Sequence, residues 1–428
     1  MSDALPPSLW ADTAPPAAPT DPLAETIRAD VAIIGGGFMG LSAALHLAEA
    51  GAQVALIEAH APGWGASGRN GGQVIPGWKD DPETLAARHG ADLGARMSAL
   101  GDTAGDLVFD LIARHAIDCA ARRGGWVHAL HGPALRAEAA RRAAIWQRLG
   151  APVRLLDAAE TNALLGTDIY AGGYLDPRGG ALNPLAYARG LARAAARQGA
   201  RLFAPATATG LVRRDGGWEV AAPPGRILAD RVLLATGAYS GNLLPGLRRS
   251  LLPVQSIQVA TAPLPEAVRS GITPGGQVAS DTRRLLLYFR LDEAGRLVFG
   301  GRGALSGERP AAAHVRAVVA AMHRTFPAVR DAPVTHAWAG LIDLTRDRRL
   351  HVHQLGPGLT AAVGLNGRGV AQATAIGKAL AAALTGSFAD LPLPVVTLRP
   401  IPLHALRLPA MALVAAGYRL RDRLEGAR

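Results

Sequence analysis

Residues 31–58 read VAIIGGGFMGLSAALHLAEAGAQVALIE, and this stretch decides the fold. The apolar run from Val31 to Ile34 predicts a short, fully buried parallel strand. The residues after the glycines have the composition of a helix, and Gly51 lies where a helix commonly ends. Residues 53–57 predict a second strand. Together these segments predict a complete βαβ unit.

A glycine cluster joins the first strand to the helix. Gly35-Gly36-Gly37-Phe38-Met39-Gly40 matches the G-x-G-x-x-G pattern. In this pattern Gly35 permits a tight turn, Gly37 lets the backbone approach a pyrophosphate at the helix N-terminus, and Gly40 lets helix and strand pack closely. Glu58, 18 residues after Gly40, is placed to accept a hydrogen bond from a ribose hydroxyl. The unit predicts an adenine dinucleotide, with Phe38 and Met39 among its contacts, but does not distinguish NAD from FAD.

A second glycine-rich stretch follows the βαβ unit. Residues 63–72 read GWGASGRNGG, with five glycines among ten residues. Such a loop exposes backbone N–H groups that suit the pyrophosphate and ring edge of a flavin. The alternative is an ordinary flexible loop. We predict flavin contacts, and hence FAD rather than NAD, for Ser67, Gly68, Arg69, Asn70, Gly71 and Gly72.

The rest of the chain mixes helical segments with period-two patterns. Residues 82–150 predict helices with one strand near Trp126, and residues 253–300 predict antiparallel strands. Near the C-terminus, residues 359–363 predict a strand that leads through glycines into a helix. Parallel units at both ends with antiparallel hairpins between them predict a nucleotide-binding domain interrupted by a substrate domain.

Composition narrows the classes of protein. The chain has 428 residues and 45 basic against 34 acidic side chains, with the arginines scattered rather than clustered. We therefore expect no nucleic-acid partner. The only cysteine, Cys119, leaves no internal disulfide, which suits a reducing compartment. We find no signal-peptide pattern and no apolar run long enough to span a bilayer, so we expect a cytoplasmic protein without stable membrane insertion.

The runs in residues 31–58 and 63–72 resemble the amine and amino-acid oxidase branch of FAD-dependent oxidoreductases, the group of glycine, sarcosine and D-amino-acid oxidases. The form of the second run is most similar to gamma-glutamylputrescine oxidases. Further matching runs are GGALNPLAYARGLARAA at 179–195, YFRLDEAGRLVFGGRG at 288–303 and AAVGLNGRGVAQATAIGKALA at 361–381. The resemblance implies an α/β fold of mixed α+β character, with a Rossmann-type FAD-binding domain interrupted by an antiparallel-sheet substrate domain.

On this basis we predict four segments of the chain. They are an extended N-terminal arm (1–28), a discontinuous FAD-binding domain (29–80, 150–250 and 336–400), a substrate domain (81–149 and 251–335) and a C-terminal helix (401–428). For the C-terminal helix, packing against the protein is favoured over docking on a membrane surface.

The resemblance also implies residue roles. Thr236 and Gly237 would lie against the dinucleotide, and the backbone near Ala206 would meet adenine. A loop that opens a helix would offer N–H groups to the pyrimidine edge of the flavin, where negative charge builds on reduction. Its members are Asn366, Gly367, Arg368 and Gly369, with Arg368 in a position where similar proteins carry His. No cysteine follows Cys119 and the loop carries Arg69 and Asn70, so we expect non-covalent FAD.

The substrate side has fewer signals. Tyr288 and Arg290 are two apart on one strand, so they share a face and could hold a substrate carboxylate or amide. Trp338 could wall the site, and Arg69 is a candidate cation for reaction with oxygen because both lysines, Lys79 and Lys378, lie elsewhere in the pattern. These four residues, Arg69, Tyr288, Arg290 and Trp338, are our catalytic candidates. We predict no metal site.

The predicted function is FAD-dependent oxidation of a primary or secondary amine to an imine that hydrolyses to an aldehyde. A gamma-glutamylputrescine-like amine is favoured, with oxygen as the expected electron acceptor and hydrogen peroxide as its product. An oxidase or dehydrogenase of N-methyl or other amino acids is the first alternative. Two other classes are a nicotinamide-dependent dehydrogenase and a non-catalytic flavin-binding assembly protein.

Overall fold

The computed structural model describes residues 5–426. Its helices are α1 (Leu9–Thr13), α2 (Phe38–Glu49), α3 (Pro82–His89), α4 (Ala91–Asp102), α5 (Ala104–Arg114), α6 (Arg136–Arg148), α7 (Ala158–Leu165), α8 (Pro184–Arg197), α9 (Pro245–Arg249), α10 (Glu266–Arg269), α11 (Ala312–Thr325), α12 (Val370–Thr385) and α13 (Arg407–Gly426).

The strands are β1 (Thr26–Ile34), β2 (Val54–Ile57), β3 (Gln73–Val74), β4 (Trp126–Ala129), β5 (Arg154–Leu156), β6 (Gly173–Asp176), β7 (Gly180–Ala181), β8 (Arg201–Phe203), β9 (Gly210–Arg214), β10 (Gly217–Ala222), β11 (Gly225–Leu234), β12 (Leu251–Thr261), β13 (Val278–Asp281), β14 (Tyr288–Leu291), β15 (Leu297–Arg302), β16 (Val334–Thr345), β17 (His351–Gly356) and β18 (Leu359–Val363).

The first sheet has the order β17–β18–β11–β1–β2–β8, and the hairpin β9–β10 extends from β11. β1 pairs in parallel with β2 and β11, which confirms the predicted βαβ unit. β2 and the end of β1 are buried without alternation, as expected for central parallel strands. The carboxyl ends of β1, β2 and β11 meet at one edge, so Gly35, Glu58 and Ala235 come together.

Helices α2, α8 and α12 cover one face of this sheet. α2 packs against both α8 and α12, and α12 also packs against α5. Small residues let the helices approach closely, because a side chain at Gly377 of α12 would collide with the backbone of Met39 on α2. The buried apolar side chains, with Leu41, Leu45 and Ile376 among them, form one continuous core. This core fixes the N-terminus of α2 relative to the strand ends.

The second sheet has the order β16–β12–β15–β14–β13–β4–β6–β5. Its pairs are antiparallel except for β4 with β13, so the predicted antiparallel substrate sheet is confirmed. α11 packs against β12 and β15. Phe289, Phe299, Phe326 and Met322 belong to the core between that helix and the sheet. The mixed α/β fold class is therefore confirmed.

The two sheets divide the chain differently from the predicted domain ranges. β5, β6 and β16 belong to the second sheet, although they lie within the ranges 150–250 and 336–400 predicted to bind FAD. Conversely, Met97 of α4 and Val108 of α5 lie in the core of the first sheet. Both belong to residues 81–149, which were predicted to be part of the substrate domain. These assignments depend on pairing between segments far apart in the chain, which spacing does not show. The domain boundaries themselves stay a prediction.

The first 28 residues are not extended throughout, which corrects the predicted arm. α1 begins after Ser8, whose Oγ accepts a hydrogen bond from the N–H of Ala11 at 3.0 Å. Leu9 and Trp10 are buried, and β1 already begins at Thr26. The stretch between α1 and β1 is irregular because it is rich in proline. Leu9 and Trp10 form a helix because they pack against the second sheet, which buries their side chains. Residues 1–4 of the predicted arm lie outside the described residues.

α13 accounts for most of the predicted C-terminal helix, and residues 427–428 lie outside the described range. Its contacts with the second sheet are polar: the Arg284 guanidinium donates to Asp422 at 2.9 Å and to Glu425 at 2.7 Å. No residue of α13 is buried within its described length. Its exposed apolar side chains are Leu413, Val414, Leu420 and Leu424. Among the helices of residues 5–426, none has the length and apolar character of a membrane span.

Candidate functional site

The glycine cluster between β1 and α2 has the close approaches that its pattern predicts. Gly35 has φ +114°, and a Cβ there would lie 2.7 Å from the carbonyl oxygen of Ala235. A Cβ at Gly40 would collide with the carbonyl oxygen of Gly35. Gly37 is the N-cap of α2, and a Cβ there would lie 2.9 Å from Ser67 Oγ. Only glycine fits where the backbones of β1, α2 and β11 converge.

Glu58 lies directly after β2, next to this turn. Its Oε2 accepts the backbone N–H of Gly36 at 2.7 Å, and its Oε1 accepts that of His60 at 3.0 Å. Burial raises the pKa of the Glu58 carboxyl, while the two N–H donors oppose that shift. Each carboxylate oxygen keeps a second lone pair, so Glu58 can accept further hydrogen bonds. Ala206 lies beside it, because the Ala206 N–H donates to the Glu58 carbonyl at 2.7 Å.

The loop of residues 63–72 packs onto the N-terminus of α2. Ser67 Oγ accepts the N–H of Phe38, the first residue of the helix, at 3.0 Å. A side chain at Gly68 would collide with the carbonyl of Gly63. Asn70 braces the loop internally: its amide donates to the Ser67 carbonyl at 2.9 Å and accepts the Gly72 N–H at 2.8 Å. The loop is therefore held in one conformation, which argues against the flexible alternative.

Arg69 is buried inside this loop. Its Nε donates to the carbonyl of Trp64 at 2.8 Å, and its guanidinium carbon lies 4.1 Å from the centroid of the Trp64 ring. Nη1 lies 3.2 Å from a carboxylate oxygen of Glu308. Nη2 is buried and has no hydrogen-bond partner within residues 5–426. The Arg69 guanidinium is therefore a buried cation held in place by these contacts, and its Nη2 can donate a hydrogen bond to another group.

Thr236 and Gly237 follow β11, beside the same edge of the first sheet. Thr236 Oγ1 lies 2.5 Å from Ser240 Oγ, and Gly237 has φ +49°. A Cβ on Gly237 would approach the Asp343 carboxylate at 3.6 Å. That carboxylate accepts the N–H of Gly364 at 2.7 Å, and its pKa is raised by burial. Asp343 thus links the end of β11 to the loop before α12.

The loop before α12 contains three residues with positive φ, Gly364 at +89°, Asn366 at +53° and Gly367 at +92°. Asn366 Oδ1 accepts the N–H of Thr345 at 3.1 Å, which ties the loop to the end of β16. Gly369 is the N-cap of α12, and a Cβ there would meet open space. The first N–H groups of α12 are therefore accessible, as the prediction for this loop requires.

Arg368 points away from these N–H groups. Its Nη1 donates to the carbonyls of Gly77 at 3.2 Å and Trp78 at 3.1 Å, and its guanidinium lies 5.1 Å from the Trp126 ring. Burial lowers the pKa of Arg368 to about 10. The side chain joins the loop before α12 to residues 77–78 and to the second sheet.

Lys79 is a residue of this region that sequence reasoning missed. Its Nζ donates to the carbonyl of Asn366 at 2.5 Å. Desolvation and the charges of Arg368, Arg302 and Arg348 together lower the pKa of Lys79 to about 7, while Asp80 opposes them. The prediction that both lysines lie away from the site is therefore wrong for Lys79. Its position directly after the glycine loop, in a chain with two lysines, was the available signal.

Tyr288 and Arg290 share a face of β14, as predicted, and both reach the glycine loop. The ring of Tyr288 lies 3.0 Å from the place a Cβ would take on Gly71. Its hydroxyl lies 2.6 Å from Ser256 Oγ on β12, and burial raises the pKa of Tyr288. This side chain therefore brings a buried hydroxyl to the boundary between the loop and the second sheet.

Arg290 does not have the freedom that a substrate clamp needs. Nε donates to the Gly71 carbonyl at 2.8 Å, Nη2 to the Leu182 carbonyl at 2.7 Å and Nη1 to the Leu291 carbonyl at 3.3 Å. The guanidinium also lies 4.8 Å from the centroid of the Trp10 ring. The hypothesis that Arg290 binds a substrate carboxylate is not supported, because backbone carbonyls already use all three of its nitrogens.

Trp338 lies behind the glycine loop rather than at its open side. It is 1% exposed, packs edge-on against Trp10, and donates its indole N–H to the Arg69 carbonyl at 3.0 Å. Trp10 in turn donates to the Asn70 carbonyl at 2.8 Å. We therefore assign the two tryptophans to support of the loop.

A second arginine of the same sheet has the opposite environment. Arg302 ends β15, and its Nη1 is buried without a hydrogen-bond partner in the described chain. Burial lowers the pKa of Arg302, and the Arg348 charge lowers it further, while Tyr288 opposes both. On β12, the amide nitrogen and oxygen of Gln258 are also buried, and neither makes a hydrogen bond of good geometry within residues 5–426. Sequence reasoning missed both residues because alternation in a strand does not show whether a polar side chain is satisfied.

Three potential metal ligands, His131, Asp422 and Glu425, lie within 4.8 Å of one another. Arg284 already pairs with both carboxylates. His131 follows β4 and the two carboxylates lie on α13, so these three residues connect α13 to the second sheet and are not part of the glycine loop.

The strand–glycine–helix turn, the carboxylate after β2 and the braced glycine loop define a dinucleotide-binding oxidoreductase with a second, antiparallel sheet over its binding edge. The family model "FAD dependent oxidoreductase" (DAO) matches residues 30–383. The chain therefore belongs to the DAO family of FAD-dependent oxidoreductases.

Relatives of nearly equal length share its sequence. The gamma-glutamylputrescine oxidoreductase of Escherichia coli (strain K12) is 33% identical over 97% of this chain and 98% of its own. A probable oxidoreductase of Rhizobium meliloti (strain 1021) is 34% identical over 97% of both chains. Among solved structures, glycine oxidase from Geobacillus kaustophilus has a TM-score of 0.70 at 23% identity, covering 84% of this chain and 95% of its own. These comparisons confirm the predicted family, fold class and FAD cofactor.

Proposed function

We propose that this protein oxidises a primary or secondary amine, with a gamma-glutamylputrescine-like amine as the favoured substrate. The observation that carries the proposal is the 33% identity to gamma-glutamylputrescine oxidoreductase over 97% of the chain. A likeness limited to the βαβ unit would support FAD binding alone. The identity to gamma-glutamylputrescine oxidoreductase extends through the second sheet, where the substrate would lie.

The described residues fit FAD. The absence of a side chain at Gly37 leaves the N-terminus of α2 open to a pyrophosphate, and Glu58 has lone pairs for ribose hydroxyls. Arg69 keeps one buried donor for the flavin or the substrate. We propose that residues 63–72 and the N–H groups at the start of α12 hold the flavin ring.

In the proposed reaction, the amine loses a hydride from the carbon bonded to nitrogen and a proton from the nitrogen. FAD supplies the acceptor for that hydride. Water then converts the imine to an aldehyde and releases ammonia or a smaller amine. The protein's part is to hold the neutral amine in a dry site, where Tyr288, Ser256 and Gln258 supply buried polar groups.

We propose oxygen as the final acceptor, which takes up two electrons and two protons to give hydrogen peroxide. Arg69, which is buried, and Lys79, whose Nζ donates to the Asn366 carbonyl, are cations on the FAD side that could stabilise negative charge formed as oxygen is reduced. Lys79 is thus proposed beside Arg69, the cation that the sequence offered for this step, and transfer of electrons to an acceptor other than oxygen is the alternative.

Oxidation of N-methyl or other amino acids is the second candidate. The glycine oxidase of Geobacillus kaustophilus (strain HTA426) is 29% identical over 56% of this chain and 63% of its own. An iminodiacetate oxidase from Chelativorans sp. BNC1 has a TM-score of 0.70 at 26% identity, covering 86% of this chain and 98% of its own. These likenesses support an amino acid as an alternative substrate.

Anaerobic mixing tests the proposal. Purified holoenzyme is mixed with gamma-glutamylputrescine, putrescine, sarcosine and glycine, and the oxidised flavin band is followed. We expect rapid bleaching with gamma-glutamylputrescine; bleaching only with sarcosine or glycine would select the second candidate, and bleaching with no amine would contradict both. Admission of air should then restore the band and release one peroxide per flavin. Acid denaturation should free all FAD from the polypeptide, as expected for a non-covalent cofactor.

A further inference from the structure

The helix α13 presents a stripe of leucines on the side that faces away from the protein. Leu406, directly before the helix, and Leu413, Leu420 and Leu424 within it are each between 57% and 76% exposed. Positions 406, 413 and 420 are seven residues apart, which brings them to nearly the same side of a helix with 3.6 residues per turn. Leu424 follows four residues after Leu420 and extends the stripe by one turn.

Exposed apolar side chains are concentrated in this part of the chain. Within residues 5–426, six of the eleven large apolar side chains that are exposed lie in residues 403–424. Single exposed leucines are common on protein surfaces, whereas a continuous apolar stripe marks a surface that binds a partner.

The opposite side of α13 contacts the protein through polar groups. The Arg284 guanidinium donates to Asp422 and Glu425, and Arg348 donates to the Tyr418 hydroxyl at 2.6 Å. A cavity of about 580 Å³ lies between α13, α11 and the end of β15, and the residues of α13 that line it are Ala412, Ala415 and Arg419. The packing that the sequence predicted for this helix therefore uses its polar side and leaves the leucine stripe exposed.

The charges of α13 are divided between the same two sides. Its acidic residues, Asp422 and Glu425, both pair with Arg284. Arg421 and Arg423 are exposed, and within residues 5–426 neither forms an ion pair with a carboxylate. At about 100° per residue, Arg421 lies on one flank of the leucine stripe and Arg423 on the other. The exposed side of the helix therefore combines apolar side chains with positive charge that the protein does not neutralise.

This charge determines which partner suits the stripe. If two copies paired through their leucines, Arg421 and Arg423 of both copies would come together, with no acidic residue on the exposed side of either helix to face them. An anionic surface meets the same arginines with opposite charge, and phosphate oxygens accept parallel hydrogen bonds from a guanidinium. The excess of 45 basic over 34 acidic side chains in the chain adds a long-range attraction to such a surface.

We propose that α13 docks this enzyme on an anionic phospholipid membrane. The helix lies along the bilayer, with the leucine stripe at the boundary between headgroups and acyl chains and with Arg421 and Arg423 at lipid phosphates. Its 20 residues give a contact about 30 Å long. Docking of this kind is reversible and needs no membrane span, and no helix within residues 5–426 has the length and apolar character of one.

Flotation of the holoenzyme with lipid vesicles tests the proposal. The vesicles contain either phosphatidylcholine alone or phosphatidylcholine mixed with phosphatidylglycerol, and flavin absorbance measures the fraction of protein that floats with them. We expect binding to the vesicles that contain phosphatidylglycerol and little binding to phosphatidylcholine alone. The bound protein should be released progressively as the salt concentration is raised, because salt screens the attraction between arginine and phosphate.

Paired substitutions locate the contact on α13. Replacement of Leu413 and Leu420 by Gln should lower the partition coefficient by about tenfold or more, because two apolar side chains no longer enter the acyl boundary. Replacement of Arg421 and Arg423 by Gln should lower it by about tenfold and weaken its dependence on salt.

Matched controls carry the same changes elsewhere on the surface. Leu149→Gln replaces a leucine that is 59% exposed at the end of α6, and Arg316→Gln replaces an exposed arginine of α11. Both should bind vesicles like the parent. FAD content and circular dichroism show whether each variant is folded.

The outcomes decide between a membrane and a second copy. A parent protein that does not float with phosphatidylglycerol vesicles would overturn the proposal, as would full binding by a folded protein with Gln at positions 413 and 420. Equal binding to both kinds of vesicle would contradict the anionic specificity. Sedimentation velocity without lipid tests the other partner: a dimer of the parent that the two leucine substitutions separate would assign the stripe to a second copy instead. Should that variant not fold, the arginine pair and the salt series decide the question.

Discussion

The two arginines Arg290 and Arg302 lie on neighbouring strands of the same sheet and have opposite surroundings. All three nitrogens of Arg290 donate to backbone carbonyls, two of them next to the glycine loop. Arg302 keeps a buried Nη1 without a partner in residues 5–426. Arg290 therefore stabilises the fold, whereas Arg302 has a donor that no described residue uses. The two sides of the molecule differ in the same way. On the FAD side, glycines and hydrogen bonds to the backbone fix the structure, whereas on the substrate side buried polar atoms of side chains such as Arg302 and Gln258 lack hydrogen bonds of good geometry within residues 5–426.

The largest expected effect is on the FAD side. Gly37→Val should abolish FAD retention, because its side chain would meet Ser67 Oγ and occupy the approach to the N-terminus of α2. Flavin absorbance per polypeptide after purification measures the loss. Gly417→Val on α13 is the matched control, since its Cβ would meet open space away from the glycine loop, and it should retain FAD. A folded Gly37→Val protein with full FAD would place the pyrophosphate elsewhere.

The second prediction tests the arginine comparison directly. Arg290→Met should lower the free energy of unfolding by about 3 to 6 kcal/mol, because the buried carbonyls of Gly71 and Leu182 lose their donors. Arg302→Met should change that free energy by less than about 1 kcal/mol, since no acceptor in the described chain depends on it. Denaturant unfolding of both holoenzymes measures the difference. Equal destabilisation would show that Arg302 is structural as well.

The third prediction concerns the pH dependence of stability. The pKa of Lys79 falls from 10.5 to about 7 on folding, so between these values the unfolded chain binds a proton that the folded chain does not. Stability from this group therefore rises with pH across that window, by well under the limit of about 1.4 kcal/mol per pH unit, because solvent screens the exposed Lys79 side chain. Lys79→Met should be more stable than the parent at pH 7, and the difference should shrink towards pH 10.5.

Lys378→Met is the control for that measurement, because Lys378 is the chain's other lysine and lies exposed on α12. Thermal unfolding at several pH values compares parent, Lys79→Met and Lys378→Met. A Lys79→Met protein whose stability follows the parent at every pH would mean that Lys79 does not titrate in this window. That result would also weaken its proposed part in the reaction with oxygen.

The smallest expected effect is at the ribose position. Glu58→Gln keeps the shape of the side chain but removes its charge, and should weaken FAD binding by about 1 to 3 kcal/mol, as for one charge-assisted hydrogen bond. Titration of apoenzyme with FAD measures the change in Kd. An unchanged Kd would limit Glu58 to its two hydrogen bonds with the backbone N–H groups of Gly36 and His60.

The sequence predicted the FAD side well because its signals are local. The strand, the three glycines and Glu58 lie within 30 residues, and each glycine has a close neighbour in the structure, backbone for Gly35 and Gly40 and the Ser67 side chain for Gly37. Residues 63–72 were predictable for the same reason. The sheet to which β16 belongs was not, because its partner β12 begins more than 80 residues earlier in the chain.

The substrate side resisted prediction for a different reason. Tyr288 and Arg290 were correctly placed on one face, but alternation along β14 does not reveal that three carbonyls surround Arg290. Lys79 and Arg302 approach each other from distant parts of the chain, which no spacing rule shows. Trp338 was assigned to the site because aromatic residues often line pockets, whereas here it supports the Arg69 carbonyl from behind.

Substitutions in α13 can change the shape of the cavity without changing the FAD side. Ala412, Ala415 and Arg419 line the cavity, yet no described residue of this helix is buried in a core. Mutations there can reshape the cavity with little effect on folding or on FAD, so this face of the tail is free to diverge during evolution.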